Sequence, residues 1–460
     1  MNIWYNIWRK AGEIMVDNIC AIATPFGVGA ISIIRASGPD AIKLVNNVFK
    51  GKDLTKVKSH TINYGYIIDN NEVVDEVLAN VYIAPHSFDG ENMVEINCHG
   101  GIYVTNRVLG VLLANGFRLA ERGEFSKRAF LNHKLDLTEA EAIMDIISSS
   151  NKIALDSSLK SLRKSTHNLI DKFRDKLLDI MAKIEVNIDY PEYEDSVDVT
   201  HEYLSPIVDE LLVDMKKILE NSKISTLAIN GIKTAIIGKP NVGKSSLLNM
   251  MLDENKAIVS NVPGTTRDLV EGTITIGNAT LRLIDTAGIR ESDDYVESIG
   301  IKRSIEALNN CDLVLLVIDS SNELDDLDKE LLELTKNKNR IIILNKSDLK
   351  AKVQIEGSIS MSALHNEGMD ILAKRILEIT EINSIYDMND YYLNNTRQVD
   401  LMNKAYNSLC DAKTSIDNLA DISLIEIDIK SAFDALGEIT GEASPDELIT
   451  ALFTKFCLGK

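Results

Sequence analysis

The stretch Thr234-Ala-Ile-Ile-Gly-Lys-Pro-Asn-Val-Gly-Lys-Ser-Ser-Leu-Leu248 decides how the central part of the chain folds. A short apolar run enters Gly238-x-x-x-x-Gly243-Lys244-Ser245, and a leucine-rich helical pattern follows, which is the context of a phosphate-binding loop. The glycines let the main chain curl around a phosphate, Lys244 supplies a cation, and the Ser245 hydroxyl can hold Mg²⁺. The alternative is a glycine-rich turn before an ordinary helix, and the motifs downstream argue strongly against it.

Two motifs after the loop predict how the γ-phosphate and its metal are held. Asp285-Thr-Ala-Gly288 directly follows an apolar run, so Asp285 can hold Mg²⁺ through water while the Gly288 N–H meets the γ-phosphate. Thr266, in the segment Gly264-Thr-Thr-Arg-Asp268, is the candidate for a second hydroxyl ligand of Mg²⁺. Together these motifs predict a switch that senses which nucleotide is bound.

Two further motifs indicate which base is bound. Asn345-Lys-Ser-Asp348 closes an apolar run, and the Asp348 carboxylate can accept hydrogen bonds from both N1–H and the 2-amino group of guanine. Adenine offers no such pair of donors, so the base is predicted to be guanine. Ser362-Ala-Leu364 would support the edge of the base. Four motifs in this order predict a GTPase.

The position that usually orients the attacking water is unusual. Many GTPases have a glutamine directly after the glycine equivalent to Gly288, but this chain has Ile289, whose side chain forms no hydrogen bond. Glu297 lies in the same segment and is a candidate for this task, although its acidic neighbours equally suit a solvated loop. No arginine finger can be assigned, and Asn241 is a candidate ligand for a monovalent cation that spreads charge in the transition state.

The pattern around the loop predicts a mostly parallel sheet with helices on both faces, spanning residues 232–380. Gly277-Asn278 is typical of a β-hairpin. The apolar runs that alternate with helical patterns are Thr234–Ile237, Leu281–Ile284, Leu313–Ile318 and Arg340–Leu344.

Helical patterns flank this inserted domain on both sides, over residues 134–231 and 381–460. Besides one long helix with an apolar stripe, an amphipathic helix is expected at Tyr203–Asn221. The sequence Ser444-Pro-Asp-Glu447 is a capping box with proline at the first helical position, and it predicts a last helix running to about Phe456. The two arms would pack on each other as one discontinuous domain, and two independent bundles are the alternative. One long helix carries a continuous apolar stripe made of Ile170, Phe173, Leu177, Ile180, Ile184 and Ile188.

Residues 17–133 have the pattern of a compact α/β unit, with a strand, turn and strand over Ile19–Arg35. More strands are expected near Thr61–Ile68 and Glu76–Ile83, and a helix over Val104–Asn115. Residues 1–16 are interpreted as an extension that arises from a misassigned start, with Met15 as the true one.

Two local features of this unit have competing interpretations. Cys98-His99 is a poor zinc signal because no further ligands are near it in sequence, and Gly100-Gly101 favours a tight turn instead. The charged and aromatic segment Arg122–Leu137 is usually the mark of a solvated helix face, and a binding role is the alternative.

Composition limits the kinds of partner. Lys+Arg 49 against Asp+Glu 69 gives a net charge of −20, which repels nucleic acid in general, so any RNA contact requires a local basic patch or a partner. The five cysteines are scattered without zinc or disulfide spacing, which suits a reducing cytosol. No apolar run of about 18 residues exists, so we expect a cytoplasmic protein without a membrane span.

These residues resemble the MnmE (TrmE) family, the GTPases of tRNA wobble-uridine modification, over essentially all of residues 17–460. The family resemblance implies an N-terminal α/β domain that binds folate and mediates dimerisation, a discontinuous helical domain and an inserted Ras-like P-loop GTPase domain. The motifs that carry it are Ala23-Thr-Pro, Arg35-x-Ser-Gly38, Ser87-Phe-x-Gly-Glu91, His99-Gly-Gly101, Gly123-Glu-Phe-Ser-x-Arg-Ala-Phe-Leu-Asn132, Lys134-Leu-Asp-Leu137, Ala140-Glu-Ala-Ile143 and Phe456-Cys-Leu-Gly-Lys460.

The resemblance also implies roles for individual residues. Glu297 matches the catalytic glutamate, and Cys457 matches a terminal cysteine proposed to take part in the modification chemistry, with a frayed tail thiol as the alternative. Positions matching the folate site (5-formyl- or 5,10-methylene-tetrahydrofolate) are Arg35, Glu95, Lys134 and Lys460. Positions matching the K⁺ site are Asn241, Ser260, Val262 and Thr265. The full set of candidate GTP contacts is Asn241, Val242, Gly243, Lys244, Ser245, Ser246, Ser260, Asn261, Val262, Pro263, Gly264, Thr265, Thr266, Asp285, Thr286, Ala287, Gly288, Asn345, Lys346, Asp348, Ser362 and Ala363.

By this likeness the chain would be a homodimeric, K⁺-stimulated GTPase. It would work with an FAD-bearing MnmG-type partner, as a heterotetramer or larger complex, to form 5-carboxymethylaminomethyl or aminomethyl uridine in tRNA. The chain departs from the family pattern in two places. At the first glycine turn it has Val28 where the family resemblance predicts an arginine, and the extension before Asp17 is unusual. The competing class is a ribosome-assembly or other RNA-binding GTPase, which shares the nucleotide motifs but has no reason for the folate-like N-terminus.

Overall fold

A computed structural model describes residues 17–149, 151–189, 199–254, 272–276, 279–284, 308, 311–382, 392–442, 444–456 and 458–459. The chain divides into two compact units, Met1–Met144 with Thr440–Lys460, and Asp145–Ile439. The domain limits inferred above stay predictions. None of the described helices has a stretch both long enough and apolar enough to cross a membrane.

The described residues form thirteen strands and thirteen α-helices. The strands are β1 (Ile19–Ile22), β2 (Ile31–Ser37), β3 (Phe49–Gly51), β4 (Thr61–Asp69), β5 (Glu72–Tyr82), β6 (Met93–His99), β7 (Arg118–Leu119), β8 (Ile232–Ile237), β9 (Thr273–Ile276), β10 (Ala279–Leu283), β11 (Leu313–Asp319), β12 (Arg340–Asn345) and β13 (Ile359–Ser360). The helices are α1 (Ala41–Val48), α2 (Ile102–Ala114), α3 (Glu124–Leu131), α4 (Leu137–Ser148), α5 (Lys152–Leu162), α6 (Ser165–Asp189), α7 (His201–Asn230), α8 (Lys244–Glu254), α9 (Asp326–Leu334), α10 (Met369–Thr380), α11 (Thr396–Asp417), α12 (Ile422–Thr440) and α13 (Asp446–Phe453).

The first unit is built on a seven-stranded sheet in the order β3-β4-β5-β6-β2-β1-β7. All neighbours are antiparallel except β1 and β7. Alternate side chains of β2, β5 and β6 pack with α1 and α2 in one core, as the period-2 pattern requires. The opposite face is open at β4 and β5, where Ile62, Tyr64 and Leu78 are 70, 55 and 41% exposed. At β1 and β6 it is covered, because Ile19, Ala21 and Met93 are buried with Phe125. The strands expected in this unit are confirmed.

The last helix, α13, belongs to this first unit. It begins at Asp446 with Pro445 at the N-cap and ends at Phe453, so it is shorter than expected and proline is not its first helical residue. Phe453 is buried against Phe130 and Phe456, with ring centroids 6.2 and 5.0 Å away. Aromatic packing therefore fixes this end of the chain beside α3.

Helices α6, α7, α11 and α12 share one hydrophobic core in the second unit. The predicted stripe is buried at Ile170, Phe173, Leu177, Ile180 and Ile184. Its last predicted member, Ile188, is 46% exposed, so the buried stripe ends one turn earlier than expected. The arms on both sides of the nucleotide segment therefore pack on each other, as expected. Helix α7 runs to Asn230, well beyond the predicted Asn221, because its last turns pack through Ala228 into the core of the adjacent sheet. A single residue, Gly231, with φ of 81°, then separates α7 from β8.

The second sheet has the order β13-β12-β11-β8-β10-β9. Every neighbouring pair is parallel except the β9–β10 hairpin. All seven residues of β11 are buried, as expected for a central parallel strand covered on both faces. The mostly parallel sheet is confirmed. The tip of the hairpin, Gly277-Asn278, lies outside the described residues.

Candidate functional site

The phosphate-binding loop lies between the end of β8 and the start of α8. Asn241 and Gly243 have φ of 62° and 95°, so the loop curls back over its own N–H groups. Any Cβ at position 243 would collide with Asn345 Nδ2, so only glycine fits. Ser245 and Ser246 are exposed in the first turn of α8, where a hydroxyl can reach a phosphate-bound metal.

Lys244 is held at the mouth of this loop. Its ammonium donates to the carbonyl oxygens of Gly238 and Lys239, each 2.8 Å from Nζ. Both acceptors are neutral backbone carbonyls of the loop itself. The loop therefore presents a cation beside its curled N–H groups, which is the arrangement that binds an anionic phosphate.

Asn345 ties the phosphate loop to the base-binding segments. Its Nδ2 donates to the Val242 carbonyl at 2.8 Å, and its Oδ1 accepts from the Ala363 N–H at 3.0 Å. Its side chain is buried, so both bonds form away from water. Three motifs far apart in sequence therefore meet at one amide, as a single nucleotide site requires.

Asp348 is oriented by Ser362, whose hydroxyl donates to Asp348 Oδ1 at 2.7 Å. This hydrogen bond holds the pKa of the Asp348 carboxyl below its usual range. The carboxylate is therefore ionised near neutral pH and acts only as an acceptor. An acceptor-only group matches the two donors on the edge of guanine.

Lys346 adopts a left-handed backbone conformation, with φ of 62°, and its Nζ lies 2.8 Å from Asp319 Oδ2. The Asp319 side chain is only 6% exposed. Burial works to raise its pKa, but hydrogen bonds from Lys346 and Ser321 prevail and hold it at about 2. Sequence reasoning missed Asp319, although an acidic residue at the carboxyl end of a buried parallel strand was a usable signal.

A second polar cluster lies in the first unit, on the covered part of the sheet face opposite the main core. Arg35 and Glu95 are cross-strand partners, and Arg35 Nε and Nη2 donate to Glu95 Oε1 at 3.0 and 2.8 Å. The guanidinium also lies over the rings of Phe88 and Phe125, 5.1 and 5.6 Å from their centroids. Its Nη1 donates to the Gly459 carbonyl at 3.4 Å, so the chain terminus reaches this pair.

The surroundings of Glu95 suit a ligand that donates hydrogen bonds. Asn80 lies opposite Glu95 in the register, and Asn97 follows two residues later on the same face. The Oδ1 atoms of both asparagines are buried without a hydrogen-bond partner among the described residues. A pterin's amino-pyrimidine edge carries such donors, so these residues fit it. Lys134 instead donates to the Pro85 carbonyl at 3.1 Å and has no contact with the Arg35–Glu95 pair.

The charged segment Arg122–Leu137 is not simply a solvated face. Glu124 and Arg128 are 3 and 5% exposed, and they pair at 2.9 Å. Arg128 also pairs with Asp17 at 2.7 Å and Glu91 at 3.1 Å. The expectation of a solvated helix face was wrong here, because the charges satisfy one another inside the unit. This is consistent with the rule that buried charges are paired.

Cys98 and His99 both have protein partners in the structure. Cys98 is buried and donates to the Ser32 carbonyl at 3.4 Å, while His99 Nδ1 lies 2.7 Å from Asp75 Oδ1. Among the described residues, no three or more His, Cys, Asp and Glu side chains are grouped as metal ligands would be. No turn is assigned at Gly100-Gly101, which connect β6 directly to α2. Gly100 is instead a point of close backbone approach, because any Cβ there would collide with the Gly29 carbonyl.

Two family models together match nearly the whole described chain. One, the GTP-binding protein TrmE N-terminus, matches residues 18–134, and the other, the MnmE helical domain, matches residues 137–457. A tRNA modification GTPase MnmE of Lactococcus lactis is 49% identical over 448 residues, which are 96% of this chain and 98% of that protein. The chain belongs to the MnmE family of tRNA modification GTPases. Its counterpart in Streptococcus thermophilus is 48% identical over 449 residues, again 96% of this chain and 98% of that protein.

Among solved structures, the G domain of the T. maritima FeoB iron transporter is 28% identical and covers 32% of this chain and 98% of that chain. Its TM-score is 0.24, so the MnmE assignment rests on the sequence relatives instead. As an MnmE-family member with a P-loop, the chain is a GTP hydrolase.

The remaining predicted site residues of this MnmE-family chain lie outside the described residues. They include the candidate catalytic glutamate, the switch segments and the chain terminus. They are Ser260, Asn261, Val262, Pro263, Gly264, Thr265, Thr266, Asp285, Thr286, Ala287, Gly288, Glu297, Cys457 and Lys460.

Proposed function

We propose that this chain couples GTP hydrolysis to the formation of 5-carboxymethylaminomethyl or aminomethyl uridine at the wobble position of tRNA. The observation that carries the proposal is that one chain contains both the P-loop site and the Arg35–Glu95 pair contacted by Gly459. The relatives are named tRNA modification GTPases, which supports a role in tRNA modification for a chain that has both sites.

At the nucleotide site, Lys244 binds the β- and γ-phosphates and Asp348 selects guanine. Ser245 and Thr266 hold Mg²⁺, and Asp285 contacts it through water. K⁺ is bound by Asn241 with Ser260, Val262 and Thr265, and it takes the place of an arginine finger. The exposed position and curled backbone of Asn241 support this assignment.

In the first unit, Arg35, Glu95, Lys134 and Lys460 bind 5-formyl- or 5,10-methylene-tetrahydrofolate. When bound, the folate supplies the one-carbon unit of the modification. Glu95 accepts from the pterin edge, while the lysines meet the carboxylates of the glutamate tail. The unpartnered Asn80 and Asn97 oxygens support a donor-bearing ligand at this place. Cys457 follows Phe456 in the same terminal segment and is the candidate reactive thiol.

The working assembly is a homodimer joined through its N-terminal domains, with an FAD-bearing MnmG-type flavoprotein completing a heterotetramer or larger complex. The open sheet face, where Ile62 and Tyr64 are 70 and 55% exposed, supports an interface there. We assign the domains as 17–133, 134–231 with 381–460, and 232–380. The site of action is the cytoplasm, where tRNA is available.

The deciding experiment is mass spectrometry of wobble uridines in tRNA from cells that lack this gene. Rescue with the wild-type gene should restore the modification, whereas rescue with Lys244→Ala should not. Cys457→Ser should retain GTP hydrolysis and lose modification if the thiol reacts. Unchanged wobble uridines in the deletion strain would refute the proposed substrate and redirect attention to ribosome assembly, which profiles of ribosomal subunits would test.

A further inference from the structure

The side chain of Lys239 joins the phosphate-binding loop to the N-terminus of α9. Its Nζ lies 2.8 Å from Asp325 Oδ2 and 2.8 Å from Asp328 Oδ2. The Lys239 side chain is 17% exposed and that of Asp328 only 3%. The pair with Asp328 is thus largely shielded from water, unlike a typical surface pair, which contributes close to zero to stability. The Asp325 side chain is more open, with 54% of it exposed.

Both carboxylates also accept hydrogen bonds from backbone N–H groups. Asp325 Oδ1 accepts from the Asp328 N–H at 3.0 Å, and Asp328 Oδ2 accepts from the Asp325 N–H at 3.3 Å. This reciprocal capping box satisfies the first N–H groups of α9. The ammonium of Lys239 therefore binds acceptors whose positions are set by a helix terminus.

The backbone carbonyl of Lys239 accepts a hydrogen bond from the ammonium of Lys244, the proposed phosphate-binding cation. The Lys239 carbonyl and the Gly238 carbonyl are the two acceptors described above for Lys244 Nζ. Gly238 itself is pressed against β11, since any Cβ there would collide with the Val317 carbonyl. Position 239 thus has its side chain anchored on α9 and its carbonyl directed at Lys244.

We propose that Lys239 is a positioning residue for Lys244, and that the capping box of α9 sets the geometry of the phosphate-binding loop through it. The inference rests on the proposed role of Lys244 at the phosphates. Without the anchor, the peptide at position 239 can rotate, and Lys244 loses a carbonyl that holds its ammonium at the β-phosphate. The loss affects GTP and GDP alike, because both contain that phosphate.

The test compares purified full-length variants by binding of fluorescent GDP and GTP, steady-state hydrolysis and thermal melting. Lys239→Met keeps the length of the side chain and removes its charge. We expect about fivefold weaker binding of both nucleotides, which is the change in affinity that the loss of one net hydrogen bond produces. Asp325→Asn retains a residue suited to the N-cap but loses the charge, and should show the same direction of change. Lys239→Arg should restore most of the affinity.

Two controls separate positioning from folding. Lys329→Met removes another ion pair of α9, that with Asp326 at 3.2 Å, and should leave nucleotide affinity unchanged. The double variant Lys239→Met with Asp325→Asn should bind no more weakly than Lys239→Met alone, because the two residues act through one contact. Preference for guanine over xanthine nucleotides should not change, because Asp348 is untouched.

Unchanged affinity in both Lys239→Met and Asp325→Asn would overturn the proposal, even if the melting temperature falls. An equal loss in Lys329→Met would overturn it too. The assay needs only the protein and nucleotide, so a failure of the tRNA proposal leaves its result intact. Wild-type protein that binds no guanine nucleotide would instead refute the premise about Lys244.

Discussion

Asp319 and Lys346 form an ion pair of 2.8 Å across the ends of the adjacent parallel strands β11 and β12. Lys346 belongs to the base-recognition motif, whereas Asp319 belongs to no motif of the nucleotide site. Ser321 supports the carboxylate with its N–H at 2.9 Å and its hydroxyl at 2.6 Å. The strand end therefore orients a lysine that would otherwise be free to leave the base site.

Asp319→Asn should weaken binding of GTP and GDP, because Lys346 loses its counter-ion beside the base. It should also change the acid stability of the protein. The folded pKa of about 2 lies below the usual unfolded value of about 3.9, so the pair stabilises the fold fully above about pH 5 and loses that effect as the pH falls towards 2.

The measurement is urea unfolding at pH 6 and pH 3. Between these values the wild type should lose about 1 kcal/mol more unfolding free energy than Asp319→Asn. Asp326→Asn, at a fully exposed carboxylate of α9, is the matched control and should follow the wild type. Parallel curves for wild type and Asp319→Asn would contradict the assigned ion pair.

Arg128→Met should destabilise the first unit by about 2–3 kcal/mol, because Glu124 and Glu91 lose their hydrogen bonds to Arg128, while Arg118 still pairs with Glu124 at 2.6 Å. Arg122→Met, at an exposed neighbouring position, should change the unfolding free energy little. Chemical denaturation monitored by circular dichroism compares the two. Equal stability of both variants would show that Arg128 is not part of a buried network.

Glu95→Gln should weaken binding of 5-formyl-tetrahydrofolate by about tenfold or more, since a charged acceptor for the pterin edge becomes a neutral amide. Isothermal titration calorimetry on the full-length protein measures this directly. Glu72→Gln, at an exposed position at the start of β5, serves as the control. Wild-type affinity in the Glu95 variant would remove this carboxylate from the folate site.

Glu297→Ala should slow GTP hydrolysis by about 100-fold while leaving GTP affinity unchanged, because a group that orients water acts on the chemical step alone. Single-turnover hydrolysis and equilibrium binding separate the two effects. Glu291→Ala tests whether any acidic residue of that segment suffices. Turnover at the wild-type rate in the Glu297 variant would exclude it from the mechanism.

The described part of the nucleotide site was predictable from sequence because the geometry of its phosphate loop is local. A strand, a glycine loop and a helix N-terminus are adjacent in the chain, and parallel strands bring their carboxyl ends to one edge. The contact of Asn345 with Val242 and Ala363 follows from that rule. Asp319 and Lys239 were missed because their partners come from other elements, and no motif spacing encodes those ion pairs.

The first unit was harder to predict. A run such as Arg122–Leu137 has the same composition whether its charges face water or one another. The partners of Arg128, Asp17 and Glu91, are distant from it in sequence, so only the packed unit shows that Arg128 is paired internally. The limits of α7 and α13 were missed for a related reason, since tertiary packing rather than local propensity sets where these helices begin and end.

The single residue between α7 and β8 has a mechanical consequence. Ala228 at the end of α7 and Ile232 at the start of β8 are buried in the same core, so the helix end and the strand cannot move independently about Gly231. A displacement of the nucleotide-binding sheet therefore moves the 30-residue helix α7 directly, because no flexible linker lies between them. Inserting a few flexible residues at this junction should leave GTP hydrolysis intact, but movements of the sheet would no longer be transmitted to α7.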